Sequence, residues 1–169
     1  MGPPTFNDGD VLGATDVNEW LRGPLFVRKS ADETITNDTN LHVDSELTIN
    51  VGAHKRYWFE MYLRYQSHAD NDIKVRLDAP ALAIIRAYSP RQITGSTGSN
   101  EYRFENLTEA NELGVGAFGA GNDVSMFARG IVSIDVNPGP FRVQWAQVTA
   151  GGAPCTVRAN SYICLWRVE

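Results

Sequence analysis

Arg56-Tyr57-Trp58-Phe59-Glu60-Met61-Tyr62-Leu63-Arg64-Tyr65-Gln66 is the stretch that decides the fold. Its odd positions, Tyr57, Phe59, Met61, Leu63 and Tyr65, are all apolar or aromatic, whereas Arg56, Glu60 and Arg64 fall on even ones. Side chains in a strand alternate between faces, so this parity sets one continuous apolar band against a core and turns the charges to the other side. A helix would spread the same aromatics around its whole circumference, which suits only a helix buried on every side. The spacing therefore predicts a long central strand over 56–66.

Period-two segments recur on both sides of it. Leu47, Ile49 and Val51 alternate with Glu46, Thr48 and Asn50, and Ile73, Val75 and Leu77 alternate with Lys74, Arg76 and Asp78. These are the patterns of half-buried strands. Ser67 to Asn71 between two of them reads as a hairpin tip, and Ala81 to Tyr88 as a strand apolar on both faces except at Arg86. Gly95 to Asn100 reads as an exposed loop, and part of Glu101 to Ala120 as strand. Val124, Met126, Ala128, Gly130, Val132, Ile134 and Val136 keep one parity up to the turn Asn137-Pro138-Gly139-Pro140. Further strands are expected at Phe141–Val148, Cys155–Ala159 and Tyr162–Val168, the last with Tyr162, Cys164, Trp166 and Val168 on one face and Ile163 and Leu165 on the other. An apolar final strand fits insertion between two others.

Ahead of the strands lies an arm. Thr15 reads as an N-cap and Gly23-Pro24 as a helix stop, with Val17, Trp20 and Leu21 on one face between them. So short a helix is unstable alone and must dock, on its own domain or on another subunit or assembly. The expected organisation is an arm at 1–24 and a domain at 25–169. The fold class is all-β, an antiparallel, jelly-roll-like sandwich of about eight or nine strands preceded by a short helical arm.

Composition narrows the function. A chain of 169 residues buries about 70% of its unfolded surface without needing metals or disulfides. Net charge is -5 from 15 basic and 20 acidic residues, with no basic cluster; nucleic acid is therefore not the expected partner. Nothing approaches the roughly 18 apolar residues that span a bilayer, and Met1-Gly2-Pro3-Pro4 has neither the basic start nor the apolar stretch of a leader. The expectation is a protein made in the cytoplasm, with no membrane partner.

Motifs for chemistry are weak. Gly114-Val115-Gly116-Ala117-Phe118-Gly119 satisfies G-x-G-x-x-G, but a strand rather than a helix follows it, so the helix N-terminus that meets a pyrophosphate is missing. A loop or a tight strand crossing accounts for its glycines. His68, Asp70 and Asp72 have metal-like spacing without the further carboxylates a calcium loop needs. His42 and His54 stand apart from any zinc pattern. Cys155 and Cys164 flank a turn at Ala159-Asn160 that would set them opposite each other, as a bridge or as two buried thiols. We expect no enzyme, no cofactor and no metal.

Two stretches carry a resemblance. Phe6-x-x-Gly9-x-Val11-Leu12-x-Ala14-x-x-Val17-Asn18 resembles the N-terminal signature of appendage proteins of tailed bacteriophages, especially those of actinobacteria. Residues 28–39, with Leu41, Asp44, Glu46 and Leu47, running on through the aromatic strand to Asp72-Ile73-Lys74 and Ala79-Pro80, are similar to a domain of small virion proteins of such phages. Thr156-Val157, Ala159, Ser161-Tyr162 and Arg167-Val168 extend the match. The resemblance implies a structural protein located in the virion, trimeric, with other virion proteins as partners. It implies particle anchoring by Phe6, Val11, Leu12, Val17, Trp20 and Leu21. The lack of a shaft or second domain favours a capsid decoration or head appendage over a reaching fibre. The alternatives are a minor tail or tail-tip protein, or a carbohydrate-binding module that stacks sugars on an aromatic such as Trp58.

Parity also singles out a surface. Trp58 and Tyr62 lie opposite the core band, beside Arg64. Aromatics next to arginine are typical of an interface centre, so Trp58, Tyr62 and Arg64 are the expected oligomer contact.

Overall fold

The computed structural model describes residues 23–92, 94, 102–108, 111–119 and 121–168; the arm expected to be helical lies outside them. Among the described residues there is no helix. The strands are β1 (Leu25–Arg28), β2 (Glu33–Ile35), β3 (His42–Val51), β4 (Arg56–Gln66), β5 (Ile73–Asp78), β6 (Ile84–Gln92), β7 (Tyr102–Leu107), β8 (Leu113–Val115), β9 (Val124–Ser133), β10 (Gly139–Gln147), β11 (Cys155–Val157) and β12 (Tyr162–Arg167). They form two antiparallel sheets. The large one runs β1-β12-β4-β9-β6-β7, with β11 pairing β4 and β2, and the small one runs β3-β10-β5-β8.

The expected all-β sandwich is thus present, with more strands than the eight or nine expected. The additional ones include β2 and β8, of three residues each, too short for alternation to reveal, whereas the strand expected from Cys155 is β11, ending at Val157. As expected, β4 is central, flanked by β9 along its length and by β12 and β11 on its other edge. Phe59, Met61, Leu63 and Tyr65 are fully buried and Tyr57 nearly so. They meet the inner face of the small sheet, where Leu47, Ile49, Val75, Leu77, Phe141, Val143 and Trp145 are buried. Phe59 and Phe141 join the sheets with ring centroids 5.2 Å apart. The Tyr65 hydroxyl donates to the Gly116 carbonyl at 2.6 Å, so its polar end is satisfied within the core.

One end of the sandwich is closed by buried charge. Lys29, after β1, is fully buried, and its Nζ reaches the carboxylates of Glu33 at 2.7 Å and Asp44 at 3.0 Å. Asp44 also accepts the backbone N–H groups of Glu46 and Leu47 and the Trp145 indole N–H. Glu46 accepts the N–H groups of Ser30 and Ala31. Burial alone would lower the Lys29 pKa, but hydrogen bonds and charges from Glu33 and Asp44 outweigh it and raise the pKa above the ordinary lysine value. Apart from Trp145, the cluster is drawn from residues 29–47. In this fold they tie the β1–β2 end of the large sheet to β3 of the small one.

Four expectations are corrected. Ser67 to Asn71 is no hairpin tip, because β4 and β5 lie in different sheets and the segment crosses between them; Ser67 and Asn71 are accordingly buried. The strand expected from Ala81 begins at Ile84, after a turn in which Leu82 takes a left-handed φ of 68° and is exposed. β9 ends at Ser133; Ile134 stays buried, but Val136 is exposed. Finally, β11 and β12 do not pair with each other but follow one another along β4. Cys155 and Cys164 are therefore not opposite, and both are free buried thiols, Cys155 in the core cluster and Cys164 on the outer side of β12. Burial pushes the Cys155 thiol up to about 12, so it is an inert core residue.

The G-x-G-x-x-G stretch is a tight crossing. Val115 and Ala117 are fully buried, Gly116 N–H bonds to Gln92 O at 3.0 Å, and Gly119, at φ 99°, bonds to Ser67 O at 3.1 Å. Asp72, one of the metal-like trio, is spent on this crossing, its carboxylate accepting the Ala117 N–H at 2.8 Å.

Candidate functional site

The even residues of β4 set the outer face of the large sheet, and pairing extends them sideways into rows. Tyr62 lies between Tyr162 of β12 and Phe127 of β9; Glu60 between Cys164 and Arg129; Trp58 between Trp166 and Ile131. β6 adds Tyr88 opposite Arg129 and Arg86 opposite Ile131, and β1 adds Phe26 opposite Cys164.

The rows make an aromatic surface. Trp58 and Trp166 stack tilted with centroids 4.7 Å apart, Tyr62 lies 4.8 Å from Phe127 and 5.6 Å from Tyr162, and Phe26 lies 5.7 Å from Tyr162. Cross-strand aromatic pairs stabilise a sheet, yet Phe26 is 55% exposed and Trp166 37%. Glu60 sits among them, accepting the Tyr162 hydroxyl at 2.6 Å and pairing with Arg129 at 2.9 Å. Burial first, then the Glu60 carboxylate, pushes the Tyr162 phenol up to about 12. The Arg129 guanidinium also lies 5.6 Å over the Phe127 ring.

Of the three residues expected at an interface, Trp58 and Tyr62 fall within this surface. Arg64 is the next outward residue of β4, at the border of that surface. Its guanidinium bonds Asp123 at 2.6 Å, and Asp123 is shared with Arg158, which in turn holds Asp32 at 2.6 Å. Arg64 thus belongs to a charged network that seals the turn between β11 and β12. The residues expected to anchor the arm, Phe6, Val11, Leu12, Val17, Trp20 and Leu21, lie outside the described residues.

The sequence reading missed Phe127, Arg129 and Ile131, although their parity, opposite to Met126, Ala128 and Val132, was available to find them. Their partnership with Trp58 and Tyr62 was not, because it depends on β9 lying beside β4.

Where β6 meets β9 the face is hollowed. A groove of about 660 Å³ is lined by Trp58, Arg86, Tyr88, Thr108, Arg129 and Ile131. Ala87 and Gly130, paired with each other, also border it. Gly130 is required there, since a Cβ would collide with the Arg86 carbonyl and with Ala87. A smaller hollow of about 240 Å³ adjoins it past Tyr88 and Arg129, bordered by Pro90 and Phe127.

Among the described residues, no group of three His, Cys, Asp or Glu side chains is arranged to hold a metal ion. His42 pairs with Asp38 at 2.8 Å and His68 with Asp70 at 3.3 Å, both near the surface. No helix of the described residues is long and apolar enough to cross a membrane.

No family model matches the chain, and no curated protein matches it in sequence. Among solved structures it is similar to the Eiger TNF of S. frugiperda, at 9% identity and a TM-score of 0.42 over 88% of this chain and 94% of that one. It is also similar to the tripod (BppUct-A-L) from the baseplate of bacteriophage Tuc2009, at 13% identity and a TM-score of 0.36 over 99% of this chain and 75% of that one. A third is the VP2 subviral particle of infectious bursal disease virus, at 11% identity and a TM-score of 0.25, where the match covers 86% of this chain and 41% of that one.

Proposed function

We propose that this chain is a structural protein of a tailed-phage particle, a capsid decoration or head appendage. A jelly-roll sandwich at 25–169 assembles with copies of itself, as a trimer, and the arm at 1–24 holds it on the particle. The jelly-roll reading rests on connectivity: β3, β5, β8 and β10 of the small sheet alternate along the chain with β4, β9 and β12 of the large one, and β6–β7 extend the large sheet. That architecture recurs in viral capsid and lectin domains, but an architecture does not name a function. The phage resemblance of the 28–47 stretch supports the assignment.

The observation that carries it is the outer face of the large sheet. Aromatic residues from β1, β12, β4 and β9 stand there side by side, partly exposed. An apolar, aromatic centre rimmed by charge is the composition of an interface. The contact is assigned to the β1–β12–β4 half, around Tyr62, Tyr162, Trp166 and Trp58.

Sedimentation of the isolated chain at tens of micromolar tests the assembly, and a trimer is expected; a monomer would remove self-association. Electron microscopy of particles carrying a labelled antibody tests the placement. Label on the head supports the decoration reading, and label at the tail tip replaces it with a minor tail protein. Removing residues 1–23 is expected to leave a folded sandwich that no longer copurifies with particles.

A further inference from the structure

We propose that the groove between β6 and β9 binds an acidic glycan, a short saccharide chain bearing carboxylates. The groove lies on the β6–β9 side of the face and meets the proposed contact at Trp58, which borders both; the test therefore turns on Arg86 and Tyr88, which lie outside that contact.

Four features point to this ligand. First, the groove at about 660 Å³ has the size of small-molecule sites, roughly 300 to 1,000 Å³, and the adjoining hollow lengthens it past Tyr88. Room for a chain is therefore present. Second, Trp58 and the 47% exposed Tyr88 present rings at its wall. A pyranose has an apolar C–H face that packs on such rings while its hydroxyls stay wet. Third, Arg129, held in place by Glu60 at 2.9 Å, supplies fixed donors beside the rings, and Thr108 supplies a hydroxyl.

The fourth feature selects for charge. Arg129 is neutralised by Glu60, but Arg86 is exposed, and among the described residues no carboxylate pairs with it. A guanidinium beside aromatic rings with no carboxylate partner among the described residues, in a chain of net charge -5, is a local complement to an anion. Its planar fork matches a carboxylate bidentately.

Other occupants fit less well. A peptide strand binds a sheet through an open edge, whereas this groove lies on a face whose backbone groups are already paired, β6 with both β9 and β7. A nucleic-acid strand would stack on the rings, but it needs a basic track along its phosphates, and among the described residues the groove holds two arginines, one of them already paired with Glu60.

Calorimetric titration of the full chain with a tetragalacturonate, beside a neutral galactose tetramer of equal length, tests the proposal. The acidic oligosaccharide is expected to bind at least about tenfold more tightly than the neutral one, since a charged hydrogen bond contributes about that factor, and added salt should weaken it. Arg86→Ala should lose about tenfold and Arg86→Lys less, with unchanged melting and sedimentation, because Arg86 is exposed. Tyr88→Ala should weaken both oligosaccharides. Absence of binding at about ten millimolar, equal affinity for the neutral tetramer, or undiminished binding by Arg86→Ala would each overturn the proposal. So would tighter binding of an acidic peptide or of oligothymidylate than of the uronate.

Discussion

The outer faces of the two sheets are built by the same alternation and end in opposite chemistry. On the small sheet, Lys74, Arg76, Asp78, Arg142 and Gln144 stand outward, and they satisfy one another: Arg142 bonds Asp78 at 2.6 Å, Arg76 bonds Gln144 at 3.0 Å, and Lys74 bonds Glu112 at 2.9 Å. This is how a solvated antiparallel sheet ordinarily looks. On the large sheet the equivalent positions hold Phe26, Trp58, Tyr62, Tyr88, Phe127, Ile131, Tyr162 and Trp166. Both inner faces are equally apolar, so the core does not need this second layer. Folding alone accounts for the small sheet's surface; the large sheet's aromatic layer is the surface on which the proposed contact and the proposed groove both rest.

That comparison can be broken at several points. The largest effect is expected beneath both faces. Phe59→Ala removes the ring that meets Phe141 between the sheets and should cost about 3 to 5 kcal/mol, read from denaturant unfolding. A variant that unfolded like the parent would mean that the aromatic outer layer, not the core, holds the sandwich together.

Next is the buried charge at the end of the sandwich. Lys29→Met leaves Asp44 and Glu33 without their cation and should cost about 3 to 5 kcal/mol at neutral pH, the upper part of that range only if water stays out. The same cluster predicts a pH profile. Burial works to raise the Glu33 pKa, but hydrogen bonds from Lys29 and Ser45 and the Lys29 charge bring it below the ordinary 4.5. Its contribution is therefore present above pH 4.5 and lost as pH falls through the lower folded value. Lys29, raised above 10.5, contributes fully below that pH and loses its contribution as pH rises through its folded value. Melting temperature in the parent should fall at both extremes. In Lys29→Met the alkaline fall should shrink, and a parent whose stability rose below pH 4 would contradict the cluster's role.

The third test separates the faces directly. Trp58→Asp places a charge within the aromatic layer and should weaken self-association more than tenfold, releasing folded monomers in sedimentation. Arg76→Glu on the small sheet should leave the oligomer unchanged. Equal behaviour of the two variants would erase the distinction between the faces. The smallest effect is expected from the Arg142–Asp78 pair, which is partly exposed: a double-mutant cycle should give a coupling of at most about 1 kcal/mol.

Much of this architecture was legible in the sequence. Strict alternation made the core residues of β3, β4, β5 and β9 readable before any pairing was known, and it marked Trp58 and Tyr62 as outward-facing. Legibility failed where alternation had too few residues to act, as in β2 and β8. It also failed where a strand's apolar run outlasted its pairing, as at Val136.

By itself the sequence determined which side chains share a face, because alternation is a local property of an extended backbone and needs no partner. Only the tertiary structure decided which faces lie side by side. Ser67 to Asn71 leads between sheets rather than around a hairpin, and Cys155 and Cys164 follow one another along β4 rather than facing each other. β9 and β12 bring Phe127, Tyr162 and Trp166 to the two flanks of Tyr62 and Trp58. Strand pairing joins segments far apart in the chain and is set by how the whole apolar surface is buried at once, so the aromatic face and its groove exist only after folding.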